Sequence, residues 1–188
     1  MMANRDVRHG VPVTITDLAL AFGLVGLDVI ARLLPHVPNF TPVAASALFA
    51  GATLRSPALA FAIPLAAMAL ADGVLGFNDW RVMVVVYAAI MMPVMLGVFA
   101  KRSATLLLAL PFAVTSSVFF FVATNWAVWM FSGLYTPDAG GLLKCYIAAI
   151  PFFQKALLGD LVWTAILFGL LWAWRAIPQS LKARRLAA

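Results

Sequence analysis

An aspartate and an arginine stand one helical turn apart, at Asp28 and Arg32, inside an otherwise apolar run. Ionisable groups in hydrocarbon are costly unless they pair or face a polar cavity. At i and i+4 on a helix the two side chains can neutralise each other. One reading is a self-contained pair that stretches to the membrane interface. The other is that Arg32 offers its guanidinium to an anionic or carbonyl group in a cavity, with Asp28 holding its orientation. The residues that follow, Pro35-His36-Val37-Pro38-Asn39-Phe40-Thr41-Pro42, cannot form regular helix. Proline removes a donor and restricts the residue before it. They make either a stiff turn or a ligand-facing loop with His36 and Asn39 as contacts. The spacing also predicts a new helix capped by Thr41, with Pro42 at its first position.

Other polar groups recur at the same end of later apolar runs. Asp72 closes the third run, ahead of Gly73, Gly76 and Asn78. Asn125 and Trp126 lie deep in the fifth, and a mid-span amide needs a partner on a neighbouring helix or a ligand. Tyr146 and Asp160 belong to the last two elements, where Lys144 or Lys155 can pair with Asp160. The predicted binding set is therefore Arg32, Asn39, Asp72, Asn78, Asn125, Trp126, Tyr146 and Asp160. These residues would hydrogen-bond and ion-pair within an apolar pocket, the usual make-up of a small-molecule site. No P-loop, H-E-x-x-H, nucleophile elbow or metal-ligand spacing occurs, and the histidines are only His9 and His36. A non-enzymatic protein without metal or cofactor is expected. The single cysteine, Cys145, excludes an internal disulfide and reads first as a small buried apolar residue.

The elements that must position these groups are membrane helices. Of the 188 residues, 64% are hydrophobic and only 11% are charged, which indicates one all-α, polytopic membrane domain over residues 1–188. Apolar runs at 15–34, 41–54, 57–75, 82–100, 104–131 and 156–176 predict six transmembrane helices. The shorter run 141–153, ending at Pro151, predicts an outer interfacial or re-entrant helix. The first run is long enough to span and lacks a cleavage pattern, so an uncleaved first span is expected. The net charge of +6 is no nucleic-acid footprint, because the basic residues sit at helix ends. With both termini in the cytoplasm, nine of the thirteen basic residues fall inside, as the positive-inside rule requires. Residues 1–14 then form a cytoplasmic N-terminus, and 177–188 a basic cytoplasmic tail able to meet anionic lipid headgroups. Small residues make two slim faces. Ala44, Ala45, Ser46, Ala47, Ala50 and Gly51 form one, and Ala19, Gly23 and Gly26 the other. Either packs within the chain or docks against a partner membrane subunit.

Four segments carry a family resemblance: R-L-L-P-H-V-P-N-F-T-P-V-A-A-S-A-L-F-A-G-A, A-I-P-L-A-A-M-A-L-A-D-G-V-L-G-F, A-T-N-W-A-V-W and C-Y-I-A-A-I-P-F-F-Q-K-A-L-L-G-D. The central region that they span resembles the DUF6580 family of small bacterial integral membrane proteins, which implies a multi-pass inner-membrane protein. The layout also resembles the substrate-binding S components of energy-coupling-factor (ECF) vitamin transporters, including the solitary cobalamin-specific type. Those have six helices, a proline-containing loop after the first, and an aspartate ending the third. That resemblance implies an ECF-like bundle with an outward cavity for a vitamin-like molecule. It also implies docking through the Ala19, Gly23 and Gly26 face onto a membrane subunit driven by ATPases. In the cobalamin members a cysteine near the third helix is associated with cobalt, whereas here Cys145 lies near the last. The alternative expectation is an accessory structural subunit of a larger membrane complex.

Overall fold

The computed structural model describes residues 12–34, 38–76, 79–101 and 105–177. His36, Asn78, the N-terminal residues 1–11 and most of the basic tail lie outside these described residues. Among the described residues the regular structure is all helix. The elements are α1 (Ile15–Leu33), α2 (Val43–Thr53), α3 (Pro57–Leu75), α4 (Trp80–Ala89), α5 (Met91–Ala100), α6 (Leu106–Phe131) and α7 (Ala139–Ala176). Four stretches are long and apolar enough to cross a membrane: α3, α4 with α5, α6, and α7. Large apolar side chains face outward, among them Phe22 at 76% exposure, Phe99 at 84% and Leu107 at 84%. A chain that turns such groups to its surface is built for a hydrocarbon solvent.

Local signals explain most boundaries. At the start of α1, Thr14 and Asp17 form a reciprocal capping box, each side chain accepting the other's backbone N–H. Asp17, Ala21, Leu24 and Asp28 are the buried residues of α1, spaced at three and four. That spacing defines one inward face. The second helix begins at Val43, with Pro42 in the cap position and no side-chain cap. The Thr41 cap expected from sequence is therefore one residue early, because Pro42 already carries helical dihedrals and closes the turn itself. Between α4 and α5 the helix breaks at Ile90. Pro93 follows three residues later and cannot donate to Ala89, the acceptor four residues back.

The expected separate helix at 141–153 does not exist. Residues 139–176 are one helix of 38 residues with Pro151 inside it. A proline removes a single donor, and the Phe152-Phe153-Gln154-Lys155-Ala156 sequence after it contains no second breaker. Proline-containing helices in membranes bend and continue. At ~1.5 Å per residue α7 is about 57 Å long, against roughly 30 Å of hydrocarbon, so it tilts or projects beyond the core.

With α4 and α5 taken as one broken span, the helices run alternately between two ends of the bundle. At one end Lys101 Nζ donates to the Arg55 carbonyl, tying α5 to the α2–α3 turn. At the other end Arg32 meets Asp72, and Arg81 Nη2 donates to the Phe131 carbonyl. Helix α2 is only 11 residues long, and nine of them are buried. It sits inside the bundle, against α3, α5 and α7, and its slim face is used within the chain. Gly51 and Gly97 form the crossing of α2 and α5. A Cβ on Gly97 would lie 2.2 Å from the Leu48 carbonyl oxygen and 3.0 Å from Gly51 Cα. By contrast, nothing lies within 4 Å of a Cβ placed on Gly23 or Gly26, so the α1 stripe stays open.

The Arg32 end carries a second capped start. Asp79 caps α4 by accepting from Arg81 N at 2.8 Å, and the Arg81 guanidinium binds the same carboxylate at 2.7 Å. These hydrogen bonds hold Asp79 down at about 2. A depressed folded pKa stabilises above the unfolded value and is lost as pH falls through the folded one. The cap is therefore expected to stay intact from neutral pH to pH 4 and to fail only toward about 2. Hydrogen exchange of the Arg81, Val82 and Met83 amides, corrected for intrinsic rate, measures this.

Candidate functional site

The sharp linker after α1 shapes the site. Asn39 adopts φ 64°, a left-handed conformation that asparagine tolerates better than most residues. This turns the chain back so that Phe40 packs on α7 at Gly159, where an added Cβ would lie 3.1 Å from Phe40 Cα. A side chain at Gly159 would push the linker away by a few tenths of an ångström. Next to Gly159 is Asp160, so the same contact brings the linker beside the buried carboxylate of α7.

Between the linker and helices α1 to α7 lies a cavity of about 380 Å³. Its polar rim includes Arg32, Asn39, Thr41, Asp72, Ser116 and Asp160, and its apolar wall includes Met68, Met83, Val86, Ile90 and Phe120. Arg32 Nη2 pairs with Asp72 Oδ1 at 2.5 Å. The second oxygen of Asp72 accepts from the Tyr87 hydroxyl at 2.9 Å. Three helices are thus joined through one carboxylate. Asp160 Oδ2 accepts from Ser117 Oγ at 2.6 Å. Ser116 Oγ and Arg32 Nε are buried without a hydrogen-bond partner.

The i,i+4 pair expected between Asp28 and Arg32 is replaced by two longer-range contacts. Asp28 is fully buried and accepts from Ser46 Oγ on α2 at 2.5 Å. Arg32 turns instead to Asp72 on α3. The reason is direction: Asp28 belongs to the face of α1 that meets α2, whereas the α3 carboxylate reaches Arg32 near the helix end. Nor do Lys144 or Lys155 serve Asp160, whose partner is Ser117.

Of the eight predicted binding residues, the cavity gathers Arg32, Asn39, Asp72 and Asp160. Asn78 lies outside the described residues. Asn125, Trp126 and Tyr146 line no part of the cavity. Asn125 Nδ2 donates to the Phe121 carbonyl of its own helix at 2.8 Å. Tyr146 donates to the Val122 carbonyl at 2.7 Å, and Cys145 Sγ to the Asn125 carbonyl at 3.4 Å. Trp126 is 42% exposed and packs edge-on against Phe131. Through their hydrogen bonds, Tyr146 and Cys145 tie α7 to α6. A mid-span amide can satisfy itself on the preceding turn, which is why its polarity misled. Cys145 is buried and is not among the residues that line the cavity. Tyr87, Ser116 and Ser117 were missed. The adjacent serines inside the Phe- and Val-rich α6 were the available signal.

A helical bundle with spans of membrane length and a polar-rimmed cavity defines the class: an all-helical membrane-type protein with a ligand-sized recess. The chain belongs to DUF6580, a family of unknown function, whose model matches residues 14–181. No curated protein and no solved structure matches it.

Proposed function

We propose that this protein is a non-enzymatic, substrate-binding membrane protein that takes up a vitamin-like small molecule. The observation that carries the reading is the cavity of about 380 Å³, which combines the Arg32–Asp72 pair, Asn39 and Asp160 with an apolar wall. Small-molecule sites occupy roughly 300–1,000 Å³ and pair a mostly apolar lining with a few placed polar groups. The volume suits a compact molecule. In this reading the chain crosses a bacterial inner membrane six times, with α1 and the short α2 as the two additional passes. The cavity then opens on the outer side, as in an ECF S component. Basic residues at the Arg55 end support that orientation.

A partner membrane subunit belongs to the same reading. The face of α1 bearing Ala19, Gly23 and Gly26 is open, and the space beside both glycines is empty. Small residues of this kind allow close helix approach. The same face supports the second reading, an accessory subunit of a larger membrane complex. Native mass spectrometry of the mildly solubilised protein distinguishes the two. A small molecule bound to the single chain, lost on Arg32→Ala, is the expected result. A stoichiometric protein complex without a small molecule would favour the accessory role and remove the uptake reading.

A further inference from the structure

We propose that the cavity selects a small organic cation, an amine or protonated ring nitrogen on a compact apolar body, and that Asp160 is its counter-charge. The inference rests on the binding reading above and names its ligand class. Of the two carboxylates on the cavity wall, Asp72 is already committed: Arg32 takes one oxygen and Tyr87 the other. Asp160 differs. It is 9% exposed, its hydrogen-bond partner is the neutral Ser117, and no described lysine, arginine or histidine forms an ion pair with it. Lys155 lies five residues earlier on α7, which turns it to another side of the helix, and its side chain is exposed.

Holding a carboxylate charged in an apolar wall is costly, and a cationic partner offsets that cost. A second polar group, Ser116, lines the same cavity at 2% exposure, and its hydroxyl has no partner. An ammonium carries several donors, so one group can meet both the Asp160 carboxylate and the Ser116 oxygen. An anionic ligand fits poorly, because Asp72 screens Arg32 and Asp160 repels it. Phe120 and the neighbouring methionines Met68 and Met83 then take the apolar body.

The test uses the full chain in nanodiscs and three matched probes: 2-phenylethylamine, 2-phenylethanol and phenylacetate. Saturation-transfer NMR against empty nanodiscs reads binding. The amine is expected to bind about fivefold more tightly than the alcohol, a charge-assisted contact of ordinary strength, with the carboxylate weakest. Asp160→Asn removes the preference for the amine, whereas Asp79→Asn, outside the cavity, preserves it. Phe120→Trp fills the cavity and suppresses all specific binding. Should Asp160→Asn not fold, the order of the three probes on the unaltered protein still decides. Equal binding of the three, sensitive to Phe120→Trp, overturns the cation assignment and leaves the binding reading standing. No probe binding sensitive to Phe120→Trp overturns both.

Discussion

Replacing Gly97 by alanine is expected to destabilise the protein by about 2–3 kcal/mol, and by leucine to prevent accumulation of folded protein. The usual effect of this exchange in a helix is the opposite. Alanine is the better helix former by about 1 kcal/mol. Here the steric term wins, because the atoms in the way are backbone. The new Cβ would meet the Leu48 carbonyl oxygen at 2.2 Å, the Ala52 nitrogen at 2.9 Å and Gly51 Cα at 3.0 Å. No rotamer change relieves that contact, so α2 and α5 must separate, and α2 is buried on nearly every side. Gly23→Ala supplies the control. Nothing lies within 4 Å of its added methyl group, so the same exchange there is neutral or slightly stabilising in the isolated chain. Thermal unfolding in detergent measures both, and equal shifts for the two variants would remove the close crossing from the account.

The second large effect lies in the Arg32–Asp72 pair, and it is asymmetric. Arg32→Met is expected to lower stability by about 3–4 kcal/mol, and Asp72→Leu by about 2. The difference follows from burial. Without Arg32, the Asp72 side chain, 5% exposed, keeps only Tyr87 as a partner. Without Asp72, the Arg32 side chain is still 22% exposed, so water can reach it more readily. The double variant recovers most of the loss, because replacing a buried pair by apolar groups of similar size removes desolvation and attraction together. A double-mutant cycle on the unfolding midpoint checks this. Additive losses would show that the two side chains act independently. The Asp28–Arg32 combination, by contrast, is expected to show weak coupling, since Asp28 is held by Ser46.

Part of the site was legible because charge in an apolar run is rare and has few explanations. Arg32, Asp72 and Asp160 were chosen for that reason and Asn39 for its place in the proline-broken linker, and the cavity gathers all four. Asn125 and Tyr146 were chosen by the same reasoning, yet both close on nearby backbone carbonyls. Polarity marks a need for a partner and is silent on whether that partner is a ligand, another helix or the preceding turn. The hydroxyls of Tyr87, Ser116 and Ser117 escaped notice because a hydroxyl in a membrane helix is common and usually bonds to its own backbone.

Composition and periodicity by themselves determined an all-helical chain of membrane type, the approximate extents of its apolar runs and the proline-broken linker after α1. These are local properties: hydropathy over a window and the geometry of proline are the same in any fold. The identity of each polar partner was a tertiary decision. Asp28 and Arg32 sit one turn apart, but their choices of Ser46 and Asp72 depended on which faces α2 and α3 bring to α1. The continuity of α7 through Pro151 was also decided at that level, since Tyr146 before it and Asp160 after it both bond to α6. So was the placement of an 11-residue helix in the centre of the bundle, which requires the backbone contact of Gly51 with Gly97. Those two glycines are 46 positions apart in the chain, and only the fold brings them together.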